Sequence, residues 1–261
     1  MALTIEPGVN LGPGISLTAP PPAYVTSGLL LFLDAGNPLS YPASGTTWYD
    51  ISGNGNNATW TPGSTAPTYS TVKGGGFVFN NSIMTIPNSS SMQPGTNSWT
   101  VELWMAWNGV YSGGQGCCVI GSINTPLGDQ ANGWSVYPGG GSQWSAHYGD
   151  GISGIGSYNG ASNGTRIATS GQIQNWTITL DKTTGSHSIN YYLNGVLDFN
   201  HVIGGVPGAI TQTAPVYIGG MPPISSYFIG GTIYAIRVYN TVLSNAQRLL
   251  NYTSLRTRFG I

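Results

Sequence analysis

The sequence contains few charged residues for its length. Of its 261 residues only 6% are Asp, Glu, Lys or Arg, against about 25% in typical soluble domains, and the formal net charge is −1. So few cations cannot build the basic surface that binds nucleic acid or anionic lipid headgroups. We therefore expect neither nucleic acid nor a membrane as a partner.

Long apolar runs and cysteine are also scarce. No apolar stretch reaches the ~20 residues that span a bilayer, and the opening MALTIEPGVNLGPGISL lacks the basic and apolar regions of a secretory signal. The two cysteines, Cys117 and Cys118, are adjacent, and on a strand they point to opposite faces and cannot easily bond to each other. The sequence predicts no signal peptide and no disulfide framework.

Glycine and proline are abundant, at 40 and 17 residues. Both are frequent in residues 1–26, where PGVNL at residues 7–11 recurs as PGISL at residues 13–17. We predict an extended N-terminal arm over residues 1–26 and one domain over residues 27–261. The arm is either a terminal tail without a partner or an assembly element that adds a strand to a neighbour. In the second case its alternating apolar side chains make the contact: Val9, Leu11, Ile15 and Leu17.

The clearest signals of secondary structure stand near the C-terminus. Residues 232–239, TIYAIRVY, are rich in β-branched and aromatic residues and predict a strand with two partly buried faces. Ser244 and Gln247 have the spacing of a capping box, which predicts a short helix that begins after Ser244 and ends near Tyr252. Its apolar stripe is narrow, so the helix must dock on a sheet.

Other segments also have the pattern of strands. The strongest is WTVELWMAW at residues 99–107, whose tryptophans we predict to be core residues. Further strands are predicted at residues 29–33, 77–79, 83–86, 176–180, 189–193 and 216–218. Asn194-Gly195 favours a tight hairpin turn. The sequence predicts an all-β domain.

Four motifs that follow one another in a fixed order resemble a known family. They are GLLLFLDAGN at residues 28–37, TTWYDISGNGNNAT at 46–59, YYLNGV at 191–196 and GGTIYAIRVYN at 230–240. In this order they resemble the concanavalin A-like, laminin-G-type jelly-roll domains. The resemblance implies a two-sheet antiparallel jelly-roll sandwich with one short C-terminal helix. Domains with this order and a tail like RFGI resemble those of phage virion proteins and of bacterial surface or secreted proteins.

One loop has the spacing of a calcium site. Asp50, Ser52 and Asn54 precede Gly55 and alternate as oxygen ligands do in a calcium loop. The acidic residue expected at the end of such a loop is missing, because Thr61 stands there. Asn54-Gly55 also fits a tight turn between strands. We favour the turn and expect no cofactor, with calcium as the weaker alternative.

A neutral surface of hydroxyls and amides suits glycans, because aromatic rings stack on the C–H faces of sugars and amides bind their hydroxyls. Between residues 119 and 179, strands are expected to alternate with loops that carry aromatic residues. We predict five glycan-binding residues near these loops: Trp134, Tyr137, Trp144, His147 and Tyr148. The alternative is that these rings pack between the sheets.

Catalytic motifs are missing from the sequence. Glucanases of the family that the motifs resemble use paired carboxylates on one strand, but Glu102 has no second acid two or four positions on, and Glu6 lies in the arm. Neither G-x-S-x-G nor H-E-x-x-H occurs, and no predicted helix follows GISGIG at residues 151–156. We expect a protein that is not an enzyme.

Two functions remain. The first is a virion structural protein, a phage capsid decoration or tail-fibre component at the particle surface, which contacts other virion proteins through the arm and forms a homo-oligomer. The second is a free carbohydrate-binding (lectin) module of a secreted or cell-surface protein. The two functions can coexist, since a jelly roll on a virion can hold a host-surface glycan.

Overall fold

The computed structural model describes residues 24–60, 65–112, 118–123, 132–138, 144–150, 170–182, 187–203, 208–211, 213–221 and 228–261. These residues form two antiparallel sheets packed face to face, followed by one C-terminal helix. The predicted two-sheet jelly-roll sandwich is confirmed. Within the described residues, no helix is long and apolar enough to cross a membrane.

The first sheet, sheet A, has eight strands with the order β13-β12-β11-β7-β15-β5-β4, and β1 pairs with β15 beside β5. The longest strands, β7 and β15, lie together at its centre. The strands are β1 (Leu29–Asp34), β4 (Thr68–Ser70), β5 (Gly76–Asn80), β7 (Trp99–Ser112), β11 (Ile173–Asp181), β12 (His187–Leu193), β13 (Val196–Ile203) and β15 (Phe228–Tyr239).

The second sheet, sheet B, has seven strands with the order β10-β9-β8-β14-β6-β3-β2. Several are only two to four residues long. The strands are β2 (Thr47–Trp48), β3 (Ala58–Trp60), β6 (Met84–Ile86), β8 (Ile120–Ile123), β9 (Asn132–Pro138), β10 (Trp144–Asp150) and β14 (Val216–Ile218).

The main core lies between the two sheets and is made by the alternation of side chains along each strand. On β7, Val101, Leu103 and Met105 point into this core, whereas Glu102 and Trp104 point to the outer face of sheet A. The predicted Asn194-Gly195 hairpin is confirmed between β12 and β13. Asn194 (φ 50°) and Gly195 (φ 82°) both take the left-handed conformation that such a turn needs.

The C-terminal helix, α1 (Asn245–Phe259), begins with the predicted capping box of Ser244 and Gln247. The predicted C-terminal helix is confirmed, but it runs seven residues beyond Tyr252, so its predicted end was wrong. The extra turns dock on sheet A, where Phe259 stacks on Trp104 with 4.6 Å between ring centroids. Gly260, in the left-handed conformation (φ 75°), then ends the helix.

A buried polar network joins α1 to the outer face of sheet A. The Glu102 carboxylate lies 3.3 Å from the Arg237 guanidinium, and both side chains are 2% exposed. Asn251 of α1 donates to the Glu102 carboxylate and to the Tyr239 hydroxyl. Burial, and next the charge of Glu102, raise the pKa of Tyr239. The network holds the helix in one place on the sheet.

Two residues that the sequence assigned to the arm belong to this packed region. The Val25 amide donates to the Asn251 side chain, and the Val25 carbonyl accepts from the Tyr239 hydroxyl. The Tyr24 ring packs edge-on against Phe32 at 4.9 Å. The chain is therefore already anchored to the domain from Tyr24 onward. The predicted arm residues Val9, Leu11, Ile15 and Leu17 lie outside the described residues.

Candidate functional site

The outer face of sheet B carries one line of small and polar residues, which we name the polar row. Each member is directly opposite the next across neighbouring strands, so that one residue from each of the seven strands takes part. In spatial order from β2 to β10 the row is Thr47, Thr59, Thr85, Tyr217, Gly121, Ser135 and His147.

The polar row follows from strand alternation. On β6 and β14 the row residue is flanked by apolar residues that point into the core, with Met84 and Ile86 on either side of Thr85 and Val216 and Ile218 on either side of Tyr217. Neighbouring strands lie about 4.8 Å apart, so seven strands span about 29 Å.

Exposure falls along the polar row from β3 to β10. Thr59 is exposed, Thr85 and Tyr217 are half-buried, and Ser135 and His147 are buried. Burial raises the pKa of the Tyr217 hydroxyl, which therefore stays protonated and able to donate at neutral pH. The half of the row from Thr47 to Tyr217 is the part that a ligand can reach.

Gly121 sits where the row passes from β14 to β9. A Cβ atom at this position would lie 2.4 Å from the Cβ of Ser135, a separation that real side chains do not reach. The close approach of β8 and β9 therefore requires glycine here. It also leaves the row without a projecting side chain at the position directly opposite Tyr217 on β8.

Three polar side chains at the β10 end are buried without hydrogen bonds. Within the described part of the chain, no group donates to or accepts from the Ser135 hydroxyl, the Ser145 hydroxyl or either ring nitrogen of His147. Burial lowers the pKa of His147 to about 4, so its imidazole is neutral at physiological pH. Leaving such groups unpaired costs about 1–3 kcal/mol each.

The five predicted glycan-binding residues separate into two sets. Tyr137 and His147 lie on the outer face of sheet B, beside and within the polar row. Trp134, Trp144 and Tyr148 instead point into the main core, and each is at most 3% exposed. Trp134 packs on Trp99 at 5.2 Å, and Trp144 packs on Trp176 at 5.3 Å.

All five residues belong to β9 or β10. Alternation along these two strands turns every second side chain inward, and the inward positions take the largest rings. The inward-facing rings offer no face to a ligand outside the sandwich. Their predicted role in glycan binding is replaced here by packing between the sheets.

The Asp50 loop uses its oxygens internally. One carboxylate oxygen of Asp50 accepts from the Phe32 and Ser52 amides, and the other accepts from the Ser52 hydroxyl and the Asn56 amide. The Asn54 side chain donates to the Leu29 and Leu30 carbonyls. This donor set folds the loop against β1 and fits a turn better than a calcium site, which needs free oxygens.

The sequence interpretation missed four residues of the open half of the polar row: Thr47, Thr59, Thr85 and Tyr217. A signal for them exists in the sequence. In TW, ATW, MTI and VYI, a residue with a hydroxyl group stands next to apolar residues, as on a strand with one buried face. Segments of two or three residues are too short for this alternation to be recognised without neighbours.

Comparison with known families gives a clear assignment. The profile of the family described as the concanavalin A-like lectin/glucanases superfamily matches residues 79–247. The matched region includes both central strands of sheet A and five of the seven strands of sheet B. The chain belongs to this superfamily. No curated protein sequence matches the chain significantly.

Solved structures share the fold at low sequence identity. The binding domain of Paraclostridial Mosquitocidal Protein 1 is 13% identical with a TM-score of 0.62, and the match covers 87% of this chain and 52% of that one. Domain 4 of AbnA, an extracellular GH43 arabinanase from Geobacillus stearothermophilus in complex with arabinotriose, is 19% identical with a TM-score of 0.60 and covers 85% and 97%.

The binding domain of botulinum neurotoxin serotype G is 16% identical with a TM-score of 0.60, and the match covers 86% of this chain and 50% of that one. The chain thus spans about half the length of the toxin binding domains that it matches, and nearly the whole of the arabinanase domain. At these identities the likeness shows the fold alone.

Proposed function

We propose that the chain is a non-catalytic glycan-binding domain whose ligand lies across sheet B on the open half of the polar row. The observation that carries this proposal is the strand register, which brings Thr59, Thr85 and Tyr217 into one line. Hydroxyl groups both donate and accept hydrogen bonds, as sugar hydroxyls do. The Tyr217 ring adds a surface on which a sugar C–H face can stack.

The ligand that fits the row best is a neutral oligosaccharide. None of the seven row residues carries a charge at neutral pH, given the lowered pKa of His147. A sialylated or otherwise acidic sugar would find no cation there to pair with its carboxylate. The fold shared with an arabinanase domain that was solved with arabinotriose supports the same class of ligand.

The domain binds without hydrolysing. A glycosidase needs two carboxyl groups flanking the scissile bond, about 5–9 Å apart. Glu102, the residue that the sequence analysis considered as a catalytic carboxylate, lies under α1 on the outer face of sheet A and forms an ion pair with Arg237. It cannot reach a sugar on sheet B. Within the described residues, no group of three or more His, Cys, Asp or Glu side chains gathers to hold a metal.

A neutral-glycan array with the full chain tests this function. Tyr217→Phe removes one hydroxyl from the row, and we expect it to weaken binding about fivefold to tenfold, the value of one hydrogen bond to a ligand. Tyr192→Phe makes the same change on the outer face of sheet A and should leave binding unchanged. Equal binding by all three proteins, or no binding to any neutral glycan, would contradict the proposal.

We also propose that the domain is displayed on a phage virion, attached to other virion proteins through residues 1–26. Two observations support this: the arm sequence alternates apolar residues, and its root is held in place at Val25 by Asn251 and Tyr239. Because Val25 is fixed to the domain, an arm bound to the particle would hold the domain close to its attachment point and limit its free rotation.

Removal of residues 1–23, which keeps Tyr24 and Val25, tests the attachment. The truncated domain should unfold at the same denaturant concentration as the full chain but should no longer join the particle. Normal incorporation of the truncated chain would remove the support for a virion role and favour a free lectin module. Truncation at residue 26 is the poorer test, because it also removes the buried contacts of Val25.

A further inference from the structure

A groove of about 560 Å³ lies on the outer side of sheet A, at the C-terminal end of α1. Its walls are the end of α1, the turn between β4 and β5, and the start of β11. The volume falls within the about 300–1,000 Å³ that is typical of small-molecule sites. Five of the side chains that line the groove are apolar or aromatic: Val72, Ile173, Tyr234, Phe259 and Ile261.

The groove is a continuation of the apolar cluster under α1. The Tyr234 and Phe259 rings belong to that cluster, with their centroids 5.1 Å apart, and Ile173 packs against it but is only half-buried. Val72 stands at the rim and is 65% exposed. Most hydroxyl groups of a sugar would lose their hydrogen bonds to water against such a lining. The groove therefore fits a ligand with an apolar body and not the oligosaccharide proposed for the polar row.

One charged side chain, that of Lys73, stands among the described residues that line the groove. Its ammonium group has no ion-pair or hydrogen-bond partner within the part of the chain that the structure describes. The Arg258 guanidinium beside the same turn is already paired with the Asp34 carboxylate. The groove thus offers one unpaired positive charge, to which an anionic group is complementary.

The backbone fixes Lys73 at this position. Its φ of 55° lies in the left-handed region, which residues other than glycine seldom adopt. Arg258 of α1 donates to the Lys73 carbonyl at 3.0 Å and also to the Gly75 carbonyl, so the helix holds the turn next to its own end. Glycine would take this conformation without strain, and three glycines follow directly. A lysine that is kept here points to a role for its side chain.

We propose that this groove binds a small amphiphilic anion, a molecule that carries one carboxylate or similar anionic group on an apolar body. The anionic group pairs with the Lys73 ammonium, and the apolar body packs over Ile173 and Phe259. The groove and the polar row lie on opposite sheets. Binding at the groove therefore does not depend on the function proposed for sheet B, and both sites can be occupied at once.

Fluorescence titration of the full chain with anilinonaphthalenesulfonate tests the site, because this probe joins an apolar aromatic body to one sulfonate. We expect saturable binding. Octanoate should displace the probe at lower concentrations than octanol, which lacks the charge, and than glucuronate, which lacks the apolar body. Lys73→Gln should raise the dissociation constants of the probe and of octanoate about threefold to fivefold, the value of one exposed ion pair. Lys73→Arg keeps the cation and should bind as the wild type does.

A negative charge at the rim tests the location. Val72→Asp places an anion beside the groove and should weaken probe binding at least as much as Lys73→Gln does. Val196→Asp makes the same change at a valine that is 58% exposed on β13, outside the groove, and should leave binding unchanged.

Three results would overturn the proposal. The first is a wild-type chain without saturable binding. The second is binding that does not depend on charge, seen as Lys73→Gln equal to the wild type or octanol as effective as octanoate. The third is equal weakening by Val72→Asp and Val196→Asp, which would place the probe elsewhere. Thermal unfolding checks that each variant is folded.

Discussion

The outer faces of sheet A and sheet B differ in how their polar side chains are arranged. On sheet A, helix α1 covers the centre, and the buried Glu102 carboxylate accepts hydrogen bonds from Trp104, Asn175, Arg237 and Asn251. On sheet B the outer face is a row of hydroxyl groups, with Ser135, Ser145 and His147 buried without partners in the described residues.

This difference indicates which outer face adds to the stability of the fold and which adds less. The outer face of sheet A is covered by apolar rings under α1, and its buried carboxylate at Glu102 is surrounded by hydrogen-bond donors. A face that keeps a line of accessible hydroxyl groups, as the open half of the polar row does, gives up apolar burial there, and ligand binding is the usual reason for such a loss of stability. The following variants test this contrast, from the largest expected effect to the smallest.

The largest effect should come from the sheet A side. Arg237→Ala leaves the buried Glu102 carboxylate without its cation and removes the guanidinium from its position 4.3 Å over the Phe32 ring. We expect the free energy of unfolding to fall by about 3–5 kcal/mol in urea titrations. Arg256→Ala, at an exposed position of α1, should cost less than about 1 kcal/mol. Similar losses for both would show that the network does not hold the helix.

Trp144→Ala tests the inward-facing rings of sheet B. Because Trp144 is 3% exposed and packs on Trp176, we expect a loss of about 3–5 kcal/mol from the cavity that it leaves. Tyr49→Ala, at an exposed ring, serves as the control and should have little effect on urea unfolding. If Trp144→Ala kept full stability but lost glycan binding, the ring would have to be a ligand platform after all.

The pH dependence of stability tests the buried end of the polar row. Burial lowers the pKa of His147 from 6.5 to about 4. Between these two pH values the histidine binds a proton in the unfolded chain but not in the folded chain. Stability is therefore fully present above pH 6.5 and falls as the pH drops toward 4, by about 3 kcal/mol in total.

Urea titrations between pH 7 and 4 measure this loss. His147→Gln removes the titrating group and should flatten the curve over that interval. A slope unchanged by His147→Gln would show that the histidine is solvated in the folded protein.

The smallest effect should come from a chelator. The Asp50 carboxylate already accepts four hydrogen bonds from the loop and from β1, so the loop has little left to offer calcium. Thermal unfolding with and without EDTA should give the same midpoint. A lower midpoint that calcium restores would mean that the loop rearranges to bind the ion.

Much of the fold was predictable because its signals are local. The capping box of Ser244 and Gln247, the Asn194-Gly195 turn and the alternation of β7 each depend on residues within a few positions of one another. The length of α1 was not predictable from its narrow apolar stripe, because its last turns are held by contacts with Trp104 on a distant strand.

The site was less predictable than the fold. The glycan prediction was based on aromatic residues that lie on β9 and β10. Whether each ring points into the core or away from it depends on the strand register, which the sequence of a single strand does not reveal. The polar row exists only after seven strands are aligned, since Thr59 and Thr85 are 26 positions apart and Tyr217 is far from both. The polar row therefore follows from the strand order and register of sheet B and not from any one segment of the sequence.

The most direct test of the account is a map of amide chemical shifts during titration with the best neutral glycan from the array. If the polar row is the site, the shifts should concentrate on β3, β6 and β14 around Thr59, Thr85 and Tyr217, and the amides of α1 and β12 should not move. Shifts confined to α1 and sheet A, with none at Tyr217 or its neighbours, would contradict the central claim.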